Sequence, residues 1–344
     1  MLRFFSSLVV ALVAVATVAA QQPQTPADAI HAAAQQLPRL RSLLASKGGQ
    51  LVYERYYNGA RADRPANIKS ASKSVISALT GIAIDRGLIR NVETPITTYF
   101  PELAKDPDPG KRQIAVEDLL TMRSGLESTS GRNYGAWVTS HNWVQYALGR
   151  PMLAPPGAVM QYSTGSTHLM SAVLTKATGK STLQFANEVL GRPLGFTLPP
   201  WPRDPQGIYF GGNDMLMTPR QMLTFGELYL NDGVHAGTRV VSANWVKKSC
   251  EGREREFRPG GNGFDPRRGF DPLRDRQYGY GWWVYEIEGH DTCFAWGYGG
   301  QYIFVVPDVD MVIVSTSSPD VSEERRDHRR QLFTLVSQLI TRGR

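Results

Sequence analysis

The stretch Ile68-Lys69-Ser70-Ala71-Ser72-Lys73-Ser74-Val75-Ile76-Ser77-Ala78-Leu79 stands where a long apolar helix is predicted to begin. Apolar residues at helical spacing continue to Ala83, and Gly87 is suited to end the helix. Ser70 and Lys73 are three residues apart, so their side chains share one helix face. A serine becomes a nucleophile when an adjacent base takes its proton, and a lysine made neutral by burial and the helix dipole can do so. The pair therefore predicts acyl transfer, with the Ser70 N–H facing the oxyanion.

Two later clusters decide between this chemistry and the simpler interpretation of Ser70 as a helix cap followed by a solvated lysine. The first, Pro155-Pro156-Gly157-Ala158-Val159-Met160-Gln161-Tyr162-Ser163-Thr164, is a Pro-Gly turn that presents a tyrosine before an apolar helix. Alone, it also fits a core tyrosine with a satisfied hydroxyl. The second, Phe294-Ala295-Trp296-Gly297-Tyr298-Gly299-Gly300-Gln301-Tyr302, is a glycine-rich strand. Glycines in a strand indicate a bulge or a close backbone approach, either to packing or to a ligand.

In this order the three clusters resemble the serine β-lactamase and penicillin-binding-protein superfamily. The resemblance is to its class C-like branch, which also contains esterases, D-aminopeptidases and 6-aminohexanoate-dimer hydrolases. It runs from about Leu43 to Ser317 and is supported by three further stretches: Val116–Leu126, Pro193-Leu194-Gly195 and Gly211-Gly212-Asn213-Asp214-Met215.

The resemblance implies a role for each matching position. Ser70 matches the acylated nucleophile, and Lys73 matches the residue that accepts its proton. Tyr162 matches the tyrosine of a Tyr-x-Asn motif, which passes a proton to the leaving group. The glycine-rich strand matches a Lys/His-x-Gly element whose backbone supplies the second oxyanion donor. We place that element at Gly297-Tyr298-Gly299, with Gly300 immediately after it.

The chain departs from the family pattern at two positions. Thr164 replaces the Asn of Tyr-x-Asn, and Trp296 and Gly297 stand where a Lys or His would precede the strand glycine. In the β-lactamases that cation meets the antibiotic's carboxylate, and an unpaired carboxylate in a dry pocket costs several kcal/mol. We therefore expect an ester or uncharged amide as substrate, in a pocket edged by Trp296 and Tyr298, rather than a penicillin or D-Ala-D-Ala.

Strand patterns open and close the chain, while helical patterns fill its middle. The predicted strands are 41–45, 50–57, 278–286, 292–297, 302–306 and 311–315. Because the first pair would have to join the last strands to hide sheet edges, we predict an α+β fold. It has one antiparallel β-sheet flanked by N- and C-terminal helices, with an inserted all-helical lobe. The expected divisions are a signal peptide (1–20), a linker and N-terminal helix (21–38) and a hydrolase domain (39–344), with the helical lobe at about 91–231 and the sheet lobe from 39–90 and 232–344.

The N-terminus and composition bear on location and partners. One arginine, an apolar run and small residues up to Ala20 describe a secretory signal peptide, with an uncleaved membrane anchor as the alternative. We expect a periplasmic or secreted protein without stable membrane insertion after cleavage. Cys250 and Cys293 could form one disulfide or remain two buried thiols. The net charge is +7, but no basic stripe interleaved with aromatic residues accompanies it, so no nucleic-acid partner is expected.

These patterns together predict an exported serine hydrolase that cleaves a small ester or amide through a Ser70 acyl-enzyme, with no metal or cofactor. A β-lactamase or D,D-peptidase is the nearest alternative, and a pocket cation from the stretch between Arg253 and Arg276 would favour it. A non-catalytic binding relative of the fold is another. A Ser-His-Asp hydrolase is disfavoured because Gly-x-Ser-x-Gly does not occur in the sequence.

Overall fold

The computed structural model describes residues 25–253, 276–320 and 325–342. The predicted signal peptide, and the residues between Arg253 and Arg276, lie outside this part of the chain. The helices are α1 (Pro26–Gln35), α2 (Ser72–Asp85), α3 (Pro109–Gln113), α4 (Val116–Leu120), α5 (Tyr134–Val138), α6 (Trp143–Leu148), α7 (Thr164–Thr178), α8 (Thr182–Ala186), α9 (Pro219–Leu230), α10 (Ala243–Cys250) and α11 (Arg325–Arg342). The strands are β1 (Leu40–Lys47), β2 (Gln50–Tyr56), β3 (Ala66–Asn67), β4 (Leu216–Met217), β5 (Val234–His235), β6 (Thr238–Arg239), β7 (Gln277–Tyr278), β8 (Trp283–Ile287), β9 (His290–Gly297), β10 (Gln301–Val306) and β11 (Met311–Ser317).

The main sheet joins the two ends of the chain. Its seven antiparallel strands run in the order β2-β1-β11-β10-β9-β8-β7. Leu43 of β1 lies opposite Ser315 of β11, so the N-terminal hairpin pairs with the C-terminal strands. This arrangement confirms the predicted antiparallel sheet.

The central strands β10 and β11 are buried on both faces, which explains their nearly continuous apolar sequence. Tyr302 and Phe304 of β10 pack with the terminal helices α1 and α11, whereas Ile303 and Val305 pack into the core that includes α2 and α9. The predicted flanking by terminal helices is therefore confirmed. The helices α3 to α8 lie between the N-terminal and C-terminal strands in the chain, and the proposed domain boundaries stay predictions.

Two local predictions need correction. The strand expected over 278–286 is broken into β7 and β8, because Gly281 adopts a positive φ of 76° and Gly279 donates its N–H to the Trp282 carbonyl, 2.9 Å away. The expected all-helical lobe also contains the short strand β4, which pairs with β3 just before the Ser70 turn.

The two cysteines form a disulfide that joins the end of α10 to β9. The structure thus decides between the two alternatives left open for Cys250 and Cys293. Among the described residues, no helix combines the length and apolar character needed to cross a bilayer.

Candidate active site

Ser70 lies in a tight 3-10 turn, Lys69–Ala71, which leads directly into α2. Lys69 has a φ of +51°, a left-handed conformation that is uncommon for a residue with a side chain. Hydrogen bonds on both sides hold it there: the Lys69 N–H donates to Asn67 Oδ1 at 2.9 Å, and the Lys69 carbonyl accepts from Ser72 Oγ at 2.5 Å. Ser70 therefore occupies a fixed position at the amino end of the helix.

Lys73 points from the first turn of α2 into the protein and is 1% exposed. Its Nζ lies 3.2 Å from Ser70 Oγ, 2.5 Å from the Gly212 carbonyl oxygen and 3.4 Å from Thr164 Oγ1. Burial lowers the pKa of Lys73 from its usual 10.5 to about 7, against a smaller upward effect from the carboxylate of Asp214. A substantial fraction of the amine is therefore neutral near pH 7 and able to accept a proton.

The glycine pair Gly211-Gly212 allows the chain to pass close to α7. A Cβ on Gly211 would lie 2.2 Å from the Thr167 carbonyl oxygen, and one on Gly212 would lie 2.7 Å from Thr164. Only glycines fit here without displacing backbone, and this close approach brings the Gly212 carbonyl to Lys73. The contact between this pair and the lysine was not predicted from the sequence.

Tyr162 lies beside the same lysine. Its ring centroid is 4.9 Å from Lys73 Nζ, and its ring stacks on Trp283 of β8 at 5.6 Å with planes 19° apart. The Tyr162 carbonyl accepts from Ser128 Oγ at 2.7 Å, which holds the backbone of the segment before α7. The structure thus brings Tyr162 together with Ser70 and Lys73, although it is distant from them in the sequence.

Thr164, the first residue of α7, connects the lysine to a serine that sequence analysis missed. Ser130 Oγ lies 2.9 Å from Thr164 Oγ1 and accepts the Thr164 N–H at 2.9 Å. The hydroxyl groups of Thr164 and Ser130 therefore continue the polar contacts of Lys73 toward the half-buried surface at Ser130. The hydroxyl-rich stretch 128–130 is the signal in the sequence that could have indicated this contact.

The end of β9 lies against the turn that carries Ser70. A Cβ on Gly297 would lie 2.1 Å from the Ile68 carbonyl oxygen, so the absence of a side chain permits the contact. Gly299 and Gly300 then turn the chain with φ values of +92° and +114°. The Gln301 side chain donates to the Ser317 carbonyl at 2.6 Å and to that of Tyr298 at 3.4 Å. The backbone next to Tyr298 is thus braced beside the turn that carries Ser70.

Trp296 does not lie at the edge of the substrate pocket, where the sequence predicted it. Adjacent residues of a strand face opposite sides, and Trp296 points away from the side on which Gly297 meets Ile68. Its ring stacks on Tyr302 with planes 10° apart, on the face covered by α11. It also contacts Trp283, which in turn stacks on Tyr162. This placement makes Trp296 a support behind the tyrosine and does not favour it as an edge of the pocket.

The arginines considered as a pocket cation are engaged elsewhere where the structure describes them. Arg253 contacts Glu117 at 2.5 Å and lies over the Tyr280 ring. The Arg276 guanidinium lies 4.6 Å from the centroid of Trp283, on the aromatic cluster behind Tyr162. Residues 254–275, which hold the other candidates, lie outside the described residues.

Comparison with known proteins agrees with this fold. A family model described as Beta-lactamase matches residues 30–336. The chain is 27% identical over 359 aligned positions to 6-aminohexanoate-dimer hydrolase of Paenarthrobacter ureafaciens, covering 94% of this chain and 87% of that protein. Its fold is similar to that of a penicillin-binding-protein homologue from Caulobacter crescentus, with a TM-score of 0.70, 14% identity and coverage of 92% and 97%. It is also similar to EstCE1, a hydrolase with promiscuous acyltransferase activity, with a TM-score of 0.69, 17% identity and coverage of 91% and 98%.

Proposed function

The chain belongs to the Beta-lactamase family, and from that premise we propose that it is an exported serine hydrolase that cleaves an ester or uncharged amide through an acyl-enzyme on Ser70. The family membership confirms the superfamily resemblance drawn from the three sequence clusters. The family contains hydrolases, as the similarity to an aminohexanoate-dimer hydrolase indicates. The specific substrate and the residue roles are the content of this proposal.

One observation carries the proposal: the nitrogen of the buried Lys73 lies 3.2 Å from the Ser70 hydroxyl. Burial, which lowers the pKa of this lysine to about 7, supports it. An ammonium group at this position could not accept the serine proton. A neutral amine can, and the ideal general base has a pKa near the working pH. The same pair with an ordinary lysine pKa would support only a structural role.

The proximity of Ser70, Lys73 and Tyr162 supports the following mechanism. Lys73 takes the proton of Ser70 as the hydroxyl attacks the substrate carbonyl carbon, and the carbonyl oxygen becomes an oxyanion. The N–H of Ser70 and an N–H near Tyr298 stabilise that oxyanion. The carbon–heteroatom bond then breaks as Tyr162, resupplied from Lys73, protonates the leaving group. Water, deprotonated by the same residues, hydrolyses the acyl-enzyme and restores Ser70.

The preference for an uncharged substrate rests on one departure from the family pattern, the loss of the Lys or His that precedes the strand glycine. The backbone of β9 meets the Ser70 turn at Gly297, with Tyr298 next, where β-lactamases carry a cation. Neither Gly297 nor Tyr298 offers a positive charge to a substrate carboxylate at this position, which favours an ester or neutral amide over a penicillin.

Export is supported by the N-terminal sequence and by the disulfide. A bond between Cys250 and Cys293 is expected to persist in an oxidising compartment and to be rare in the cytosol. We therefore propose a periplasmic or secreted enzyme with a small-molecule partner, no nucleic-acid partner and no stable membrane insertion. Cell fractionation with intact-mass analysis tests this: loss of about the first twenty residues supports it, and full-length protein in the membrane fraction contradicts it.

The activity is tested with an activated short-chain ester and a penicillin, using wild type and Ser70→Ala. Intact mass and initial rates are measured for each pair. A Ser70-dependent adduct or turnover from the ester alone supports the proposal. Labelling by the penicillin instead indicates β-lactamase or D,D-peptidase chemistry, and no Ser70-dependent reaction with either favours a non-catalytic relative. Ser140→Ala, a half-buried serine after α5, is the matched control.

A further inference from the structure

An ion pair occupies the edge of the candidate active site. Lys69 Nζ lies 2.9 Å from Asp214 Oδ1, and the two side chains are 24% and 20% exposed. Asn67 Nδ2 donates to the same oxygen at 2.8 Å. The carboxylate is therefore held by two donors from the segment that precedes Ser70.

The pair is tied to both members of the Ser70–Lys73 couple. Lys69 immediately precedes Ser70, and Asp214 follows two residues after Gly212, whose carbonyl accepts a hydrogen bond from Lys73. Asp214 has a φ of +65°, a conformation that Asp and Asn tolerate better than most residues. Its negative charge raises the pKa of Lys73, against the larger lowering that burial causes. One carboxylate thus acts on two lysines, one at the surface and one in the interior.

Three tyrosines lie in the region around Lys73 and Asp214. Tyr162 lies next to the amine, Tyr278 packs edge-on against Tyr162, and Tyr134 Oη accepts from Asn213 Nδ2. Burial raises the pKa of both Tyr134 and Tyr278, so these two phenols stay uncharged.

On α7, His168 pairs with Asp204 at 3.0 Å inside an aromatic cluster of Trp137, Trp143 and Phe210. The carboxylate of Asp204 is thus engaged with His168 in a buried pair of its own. Asp214 is therefore the charged group that can move the protonation of Lys73 most directly.

We propose that Lys69 acts as a positioning residue that neutralises Asp214, so that the carboxylate does not hold the buried Lys73 in its ammonium form. The inference rests on the proposed function, because it concerns the base that activates Ser70. It assigns a role to the residue beside the nucleophile without placing that residue in contact with substrate. The pair tunes the base through charge, and its removal should therefore change the pH dependence of Ser70 reactivity.

The two single variants should shift that pH dependence in opposite directions. In Lys69→Met the carboxylate is left unbalanced and stabilises the ammonium form, so the acid limb moves to higher pH. In Asp214→Asn the negative charge is lost while Lys69 stays positive, so the acid limb moves to lower pH. Coulomb's law at the effective dielectric of a protein interior gives shifts on the order of half to one pH unit. The double variant should return toward wild type, because it removes a neutral pair.

The test measures the rate at which a fluorophosphonate labels Ser70 between pH 5 and about 10, a range that spans the usual and shifted lysine pKa values, by intact mass. The variants are Lys69→Met, Asp214→Asn, the double variant and Lys69→Arg, which keeps the charge and should keep the wild-type midpoint. Lys180→Met, which breaks the ion pair of Lys180 with Glu188, is the control. Thermal melts establish that each variant is folded.

Opposite shifts of the midpoint support the proposal. Reduced labelling at every pH with an unchanged midpoint overturns it, since that result means a structural role only. Shifts of the same sign also overturn it. Failure of the proposed function is a separate result: label would then appear in Ser70→Ala as well, or not at all in wild type.

Discussion

Lys73 Nζ lies 2.5 Å from the carbonyl oxygen of Gly212, a group that can only accept a hydrogen bond. A neutral amine has two N–H bonds and one lone pair. One N–H is directed to Gly212, and the other can go to Thr164 Oγ1 at 3.4 Å. The lone pair is then left for the hydroxyl of Ser70, 3.2 Å away. Two acceptors thus orient the amine of Lys73, the proposed base, toward the hydroxyl of Ser70.

Replacing Thr164 with valine should slow acylation. Valine keeps the shape but removes the acceptor, so an N–H can rotate toward Ser70 in place of the lone pair. Loss of one hydrogen bond of ordinary strength predicts a roughly three- to tenfold lower kcat. Thr164→Ser, which restores the hydroxyl, should recover most of the rate. Stopped-flow acylation rates with an activated ester measure both, and equal rates in Val and Ser variants would contradict the orientation argument.

The rate should depend on pH through Lys73. Because burial lowers the pKa of this lysine to about 7, the neutral, active form is lost as the pH falls below that value. We expect kcat/KM to rise with pH to a plateau, with a midpoint near 7. Lys111, a mostly buried lysine paired with Asp106, provides a control: Lys111→Met should leave the midpoint unchanged. A profile that instead rises only toward pH 10 would mean that Lys73 stays charged in the working enzyme.

Tyr162→Phe should separate chemistry from packing. The phenylalanine ring can keep the stack on Trp283, 5.6 Å away, so stability should change little. Loss of the phenol hydroxyl removes the proposed proton donor to the leaving group. We therefore expect kcat to fall by about 100-fold or more. Poor leaving groups should suffer most, because they need the proton. Tyr146→Phe, a partly buried tyrosine over Arg150, is the control. A uniform loss for all leaving groups would argue for a positioning role.

His328 links the C-terminal helix to the glycine turn. It is 4% exposed, its Nε2 lies 2.9 Å from Ser317 Oγ, and burial with the nearby Arg39 charge lowers its pKa to about 4. In the unfolded chain the histidine has an ordinary pKa of 6.5, whereas in the folded protein it is about 4. The contribution of neutral His328 to the stability is therefore complete above pH 6.5 and is lost as the pH falls toward 4.

This linkage is worth about 3 kcal/mol at its full extent. Urea unfolding at pH 7 and pH 5 should show a smaller acid loss in His328→Gln than in wild type. His141→Gln, at an exposed position, should behave as wild type. An unchanged acid loss in His328→Gln would exclude this histidine as the cause.

The parts of the candidate site that could be predicted from the sequence depend on residues close to one another in the chain. Ser70 and Lys73 meet because three residues span one helical turn, and the Pro-Gly turn delivers Tyr162 before α7. The predicted sheet also followed from a local rule, since the strands at the two chain ends had to hide their edges. The orientation of Trp296 was missed because it depends on the strand register, in which a shift of one position exchanges the two faces.

The remaining parts depend on contacts between distant segments. Gly212 acts through a backbone carbonyl, which every residue possesses, and it meets Lys73 across 139 positions of sequence. Ser130 reaches Thr164 across 34 positions. The disulfide could not be inferred either, because two cysteines fit a bond or two thiols equally well until α10 and β9 are placed together. In each case the residue type is visible in the sequence, but its partner is fixed by tertiary packing.

The close contact between β9 and the turn that carries Ser70 allows a substitution at Gly297 to test the proposed second oxyanion donor. A Cβ there would lie 2.1 Å from the backbone oxygen of Ile68, so Gly297→Ala must push the strand away from the Ser70 turn. Because an oxyanion donor acts only at short range, this movement should lower kcat about 100-fold. The rate of Ser70 labelling by a fluorophosphonate should fall in parallel, since attack on the phosphorus also places negative charge on an oxygen that these donors would stabilise.

Gly135→Ala in α5 is the matched control, because a Cβ at that position meets no atom within 4 Å. It should leave kcat and the melting temperature near wild type. If Gly297→Ala melts like wild type and also retains its kcat, the backbone beside Tyr298 does not supply the second donor. If it loses kcat while its melting temperature changes little, the loss lies in the geometry of the site, because a folding defect would lower both.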